Sequence, residues 1–359
     1  MTKHLHFHEL ALTLLVLLLI AAAWPQQSLA ADGPARAVAT ESVAGVPGNV
    51  KNEDGVPYRR LLLLTTSVPL IPEPDGRQGA GAGHSRYSFT SIDFPGAPGT
   101  LAAGINDAGQ IVGQYGSLFS CHGLMPNGFL LSGGVYSDVT YPSSQCSTLE
   151  GINDQGQIVG TYIDNSVADW HGFVLSSGSF TSFDPPGSVI MISGSINALG
   201  QIAGLYCDTN ECPDELGFEL SNGQFTNILP PGETTADAQG INDLGQITGD
   251  WFDANGFLHG FVLSGGVYTS IGFPGAPENL IGGINDAGQI VGAYSRSNLA
   301  NVPVHGFLLS DGKYTRINFP SAVSTQPIGI NNRGQIVGYY VDAAGVYHGF
   351  VATPNGGCQ

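Results

Sequence analysis

From residue 87 onward the chain is written in short apolar runs of four to eight residues, rich in β-branched and aromatic side chains. Gly, Pro, Asn, Asp and Ser separate them. ADAQGIN, QITGDWF, LHGFVLS and VYTSIGFP, which succeed one another between 236 and 274, are typical. Runs of this length and composition, bounded by turn residues, predict strands. No window carries the longer 3.6-residue period that a helix needs.

The strands come in repeats. GINDAGQIVG occupies 104–113 and returns unchanged at 283–292. Its Ile-Asn pair occurs six times, with Asn106, Asn153, Asn197, Asn242, Asn285 and Asn331 spaced 47, 44, 45, 43 and 46 residues apart. Three residues after each Asn stands a glycine: Gly109, Gly156, Gly200, Gly245, Gly288 and Gly334. Gln-Ile follows every time, and an aromatic closes each segment (Tyr115, Tyr162, Tyr206, Trp251, Tyr294, Tyr340). Self-similarity at such a period marks a repeat architecture.

The connections predict how each unit folds. Asn-Asp-x-Gly-Gln fits a three-residue hairpin loop, a type I turn followed by a left-handed glycine. The Asn side chain can bond the turn backbone, and a Cβ at the glycine would cost about 1–2 kcal/mol. Ser-Gly-Gly or Ser-Asp-Gly joins the third strand to the fourth, and 253–256 and 342–345 are bare turns between second and third. A proline ends the fourth strand of every unit (Pro95, Pro142, Pro186, Pro231, Pro274, Pro320), where pairing can stop without an amide donor. Each unit is thus a four-stranded antiparallel meander followed by a crossover, and six of them predict an all-β, six-bladed β-propeller. The strand at 87–94 has no unit before it, and the last unit stops after its third strand at Val351. The N-terminal strand would therefore complete the last blade and remove two edges. If the first strand of each unit is innermost, the residue before Ile-Asn (Gly, or Ser195 in the third unit) lets backbones crowd the axis.

The motif GINDxGQIVGxY, followed by HGFxLSxGxYTxIxFPGA, resembles the bacterial extracellular repeat, HAF family. The triplet stands here as His171-Gly172-Phe173, His259-Gly260-Phe261, His305-Gly306-Phe307 and His348-Gly349-Phe350. The first unit has Asn127-Gly128-Phe129 instead, and the third Leu216-Gly217-Phe218. The resemblance covers 87–354 and implies an exported repeat protein; it carries over no catalytic residue.

A short polar stretch, an apolar run at 11–24 and Ser28-Leu29-Ala30 have the layout of a secretory signal peptide spanning 1–30. The apolar core is short for a membrane span, so the mature form is expected to be soluble, monomeric, and either extracellular or periplasmic. Residues 31–86 are Gly/Pro/Ala-rich; their apolar stretch 58–70, YRRLLLLTTSVPL, is expected to dock on the propeller as a strand or tail, the alternatives being a partner-binding segment or disorder. Residues 355–359 form a tail. The net charge of −18 is concentrated in 87–354, where 22 acidic side chains face four basic ones. Such a surface repels phosphate backbones and excludes nucleic acid as a partner. It leaves glycans, cations and basic protein surfaces. Five cysteines in an exported chain predict two disulfides, Cys121–Cys146 and Cys207–Cys212, with Cys358 left over.

No cofactor is expected. The turn carboxylates Asp107, Asp154, Asp243 and Asp286 have calcium's oxygen chemistry, but calcium wants six to eight oxygens around one point. On separate blades they are predicted to stabilise turns. The repeated histidines are likewise spread around the ring, so hydrogen bonding within each blade is expected rather than zinc binding. Residues that break the repeat say more about function. Asp164, Asp169, Trp170, Asp208, Glu211, Asp214, Glu215, Asp250 and Asp253 are predicted to share the face of second-to-third-strand loops and crossovers, as a binding surface or a solvated rim. Glu150, Asp237, Gln239 and Gln326 are polar departures on the first strands, near the axis. The reading favoured is a non-catalytic binding scaffold acting through the loop face, with a glycan or protein as ligand. The alternative is an extracellular glycan-active hydrolase or lyase, which would need the axial carboxylates to work as a pair.

Overall fold

The computed structural model describes residues 86–117, 125–164, 169–209, 212, 215–297 and 303–356. All of them belong to the second of two units, 48–359. They form six four-stranded antiparallel sheets, and the described residues contain no helix. Five blades are continuous in sequence: 100–139, 144–183, 190–228, 237–271 and 278–316. The sixth takes three strands from 324–354, and its fourth is Tyr87–Ile92 from the other end of the chain. Those last two strands pair from Tyr87 opposite Pro354 to Ile92 opposite Gly349. The fold is the six-bladed β-propeller that the repeat predicts, closed by the N-terminal strand.

One irregularity recurs in every blade. The register between the inner strand and the second slips just before Ile-Asn, as between Ala102 and Gly104 or Ala238 and Gly240. Two residues there oppose one, the arrangement of a β-bulge, which bends the strand and raises its twist. Beside the bulge the second strand carries a glycine whose absent side chain is essential. A Cβ on Gly249 would lie 1.9 Å from the Asp237 carbonyl oxygen, and one on Gly113 2.0 Å from that of Leu101.

Apolar packing is divided among the six seams between blades. Ile105, Ile111 and Phe129 of the first blade pack with Ile92 and Val337 of the sixth, while Val112 turns the other way, onto Leu149 and Phe173 of the second. The triplet phenylalanines are the deepest side chains, each at most 1% exposed. The glycine before them lets the next blade approach: a Cβ on Gly260 would meet Ile281 Cγ1 at 2.2 Å. Four seams are also closed by stacked rings that join the end of one blade to the second strand of the next. These are Phe94–Tyr115, Tyr141–Tyr162, Phe273–Tyr294 and Phe319–Tyr340, with centroids 3.6–3.8 Å apart.

Candidate functional site

The ring has two ends. One bears the hairpins, the other the second-to-third-strand loops and the crossovers. At the hairpin end each repeated Asn forms the bonds expected within its own turn: Asn106 Oδ1 accepts the Gln110 N–H at 3.0 Å. Its Nδ2 does two further things, donating to Gln110 Oε1 and to the backbone carbonyl of Asn153 in the next blade. The same interblade bond runs from Asn153 to Asn197, to Asn242, to Asn285 and to Asn331, and returns from Asn331 to Asn106, at 2.9–3.1 Å throughout. It is a closed ring of side-chain amides. Around it runs a second circuit, in which the residue after each Asn donates its N–H to the next blade's side-chain oxygen. Asp107 donates to Asp154, Ala198 to Asp243, Asp243 to Asp286, Asp286 to Asn332 and Asn332 to Asp107. Ala198 has no oxygen to offer, and the circuit breaks there.

The turn carboxylates stand on separate blades and stabilise turns, as the sequence predicts, but they are not dispersed. The six turns converge on the axis, and their Ile, Asn and following residues line a depression of about 80 Å³. Among the described residues, no group of three or more His, Cys, Asp or Glu is placed to hold a metal ion.

The polar residues on the inner strands are bonded within their blades or across a seam. Four positions before each Ile, the inner strand faces a partner on the second strand. In blades 2, 4 and 6 both members are polar: Thr148 with Thr161, Asp237 with Asp250, Gln326 with Tyr339. Thr161 Oγ1 accepts the backbone N–H of Ser193, and Asp250 Oδ1 that of Ile281, each from the following blade. Asp237 Oδ1 accepts the Asp250 N–H at 3.0 Å, and the Tyr339 hydroxyl donates to Gln326 Oε1 at 2.8 Å. Asp250 is therefore not on the loop face, as the sequence suggested; at 5% exposure it is a buried clamp between blades 4 and 5.

Glu150 sits at the bulge of blade 2, where other blades place Ala, Gly, Gln or Ile. It accepts the Thr148 hydroxyl and, across the seam, the Ser193 hydroxyl at 3.1 Å. Burial pushes its carboxyl up to about 8, although those hydroxyls and the Thr161 backbone pull it back in part. Glu150 is thus held across a seam, Asp237 and Gln326 by partners on the second strand of their own blades, and Gln239 is half-buried on the inner strand of blade 4.

His171, His259 and His348 bond within their blades, as expected. His171 Nδ1 lies 2.9 Å from Asp184 Oδ2, His259 Nε2 3.1 Å from Asp253 Oδ2, and His348 Nδ1 2.7 Å from Asp93 Oδ1. The Trp251 and Tyr340 rings stack on His259 and His348.

On the loop face, Asp253 is tied into its own turn. Burial opposes its ionisation, yet the N–H groups of Phe257 and Asn255, with the His259 ring, hold its carboxyl below the ordinary value. Asp164, Asp169, Trp170, Asp208 and Glu215 are partly or fully open to solvent. The backbone stitches the loops that carry them together. The Asp164 N–H donates to Asp169 O, Trp170 N–H to Val189 O, and Val189 N–H to Cys207 O at 2.8 Å, and Ala236 N–H donates to Glu215 O. The expected Cys207–Cys212 disulfide closes the third blade's loop. Trp170 rests on Cys146 and Ile163. Cys146 is disulfide-bonded; its expected partner Cys121, together with Glu211, Asp214 and Cys358, lies outside the described residues.

No protein-family model and no curated protein sequence matches the chain. Solved structures with a similar course include a mutant of AofleA from Arthrobotrys oligospora, 15% identical, covering 76% of this chain and 88% of that one at a TM-score of 0.47. TolB from Acinetobacter baumannii is 13% identical over 72% of this chain and 64% of its own, at 0.47. Aleuria aurantia lectin in complex with Fucα1-6GlcNAc is 12% identical over 72% and 97%, at 0.45. The propeller assignment rests on the strand pairing itself. Among the described residues, no helix is long and apolar enough to cross a membrane.

Proposed function

We propose that this chain is an exported, non-catalytic propeller of the kind its repeats resemble, and that it binds a carbohydrate on the loop face of blades 2 and 3. One observation carries the reading. The hydrogen bonds from Trp170 to Val189 and from Val189 to Cys207 join two loops that lie far apart in sequence into one surface. That surface offers a half-buried indole, backed by Ile163 and Cys146, with Asp164 and Asp169 on its own loop and Asp208 next to Cys207 on the joined one. An aromatic face packs against the apolar side of a sugar ring, while neighbouring carboxylates accept its hydroxyls, the few fixed polar groups that orient a ligand. The carboxylates that a hydrolase would use, Glu150 and Asp237, are engaged in hydrogen bonds, the first across a seam and the second within its blade. The test is a glycan array probed with the purified protein, with and without calcium, alongside an assay for released sugar. Saturable binding without release, lost in Trp170→Ala, is the expected outcome. Sugar release would overturn the reading, and binding only to basic proteins would reassign the ligand.

A further inference from the structure

The hairpin end of the ring has features that the proposed loop-face site does not use. The turns of blades 3 and 4 carry Leu199 and Leu244 at their tips, 73% and 70% exposed. Aligned turns elsewhere place Ala108, Gln155, Ala287 and Arg333 at that position. The two leucine turns are neighbours, joined by the Asn197–Asn242 bond and by the Ala198 N–H on Asp243, while on its other side Ala198 offers blade 2 no acceptor and the acidic circuit is broken there. The result is an apolar step set into a rim of Asp107, Asp154, Asp243 and Asp286, with Arg333 as the one cation at the tips of these turns. Lone exposed leucines need no explanation, but an apolar pair rimmed by charge marks an interaction surface.

The chain itself holds a segment of matching chemistry. YRRLLLLTTSVPL, 58–70, lies outside the described residues and puts two arginines directly before four leucines. The described chain begins at the right end of the ring to deliver it. Arg86 O accepts the Asn355 N–H at 2.8 Å, and neighbouring Pro354 would touch a Cβ on Gly334, in the blade 6 hairpin turn. The first strand therefore starts on the hairpin end. Arg60 lies 26 positions before Arg86, a reach of roughly 85 Å when extended. The outermost strand of a four-stranded blade is only about 15 Å from the innermost. The geometry points to residues 58–70 as the occupant of this surface: the arginines on the acidic rim, the leucines on Leu199 and Leu244.

Hydrogen exchange on the full chain tests this, with Arg59→Glu/Arg60→Glu and Leu244→Asp as releasing variants and Val267→Asp as control. Val267 is also exposed, on a third-to-fourth-strand hairpin, as is Leu244. The amides of 58–70 and of the turns at 198–200 and 243–245 should be protected in the parent. Both releasing variants should lower that protection on the order of tenfold, while Val267→Asp and the blade strands stay unchanged. Free exchange of 58–70 in the parent, or equal protection in all variants, would overturn the inference. So would protection that grows with protein concentration, since the occupant would then be a second copy.

Discussion

Asn242 shows how much one repeated side chain does. Its Oδ1 accepts the N–H groups of Leu244 and Gln246, and its Nδ2 donates to Gln246 and to Asn285 of the next blade. Asn242→Ala would leave buried backbone groups unpaired on both sides of a seam. A loss of about 2–4 kcal/mol is expected, read by urea denaturation; a change below about 0.5 kcal/mol would mean the amide ring contributes nothing. Glu150 makes the prediction for pH. Its carboxyl ordinarily titrates near 4.5 and is raised to about 8 in the fold. Below the lower value it is protonated in both states and costs nothing. As pH rises from 4.5 to 8 the unfolded chain ionises first, so stability falls through that window and levels off above it. Because the side chain keeps some contact with solvent, the loss is about 2–4 kcal/mol. Glu150→Gln should flatten the profile of melting temperature between pH 5 and 9, and a variant with the parental slope would refute the assignment. The bonds of each Asn within its own turn were legible because donor and acceptor lie four residues apart. The interblade bond was not, since its partner is some 45 residues away and strict repetition gives no sign of convergence. Asp250 was misplaced for a related reason: nothing local shows that Ile281 presents it with an N–H.

At the scale of strands, the sequence showed where each one starts and stops, because Gly, Pro and Asn punctuate them. It did not show the bulge, which adds a residue to the inner strand without altering composition. Nor did it show why HGF recurs. Histidine is bonded by an aspartate of its own blade, glycine admits the next blade, and phenylalanine fills the seam. Phe261→Ala should therefore cost about 3–5 kcal/mol, and Gly249→Ala should be equally severe because its Cβ would meet a backbone oxygen that cannot move alone. Thermal melts of the two variants decide it; a loss under about 1 kcal/mol in either would show that the seam adapts. On the loop face the sequence placed Asp164, Trp170 and Asp208 on one end of the ring. It could not show that Val189 bridges two of the loops.

Across the whole molecule, stability is shared among seams, and closure depends on one strand. Removing residues 1–94 would expose the row of backbone donors and acceptors along Tyr347–Pro354, where the first strand now pairs. An unprotected edge of this kind recruits other chains. The truncated protein is expected to self-associate, visible as concentration-dependent mass in light scattering, whereas a monodisperse monomer of parental melting temperature would make closure dispensable.

The two ends of the described chain meet at the bond from Asn355 to Arg86. A short linker could join them, and new termini could be opened at any crossover, so geometry alone does not dictate where this polypeptide begins. Synthesis does. As built, the first strand emerges more than 250 residues before its partner and has to wait through five blades for a place to bind. A rearranged chain beginning at the crossover before residue 100 would make every blade from consecutive sequence. It would trade late, long-range closure for local assembly, leaving the finished ring the same and changing only the order in which it comes together.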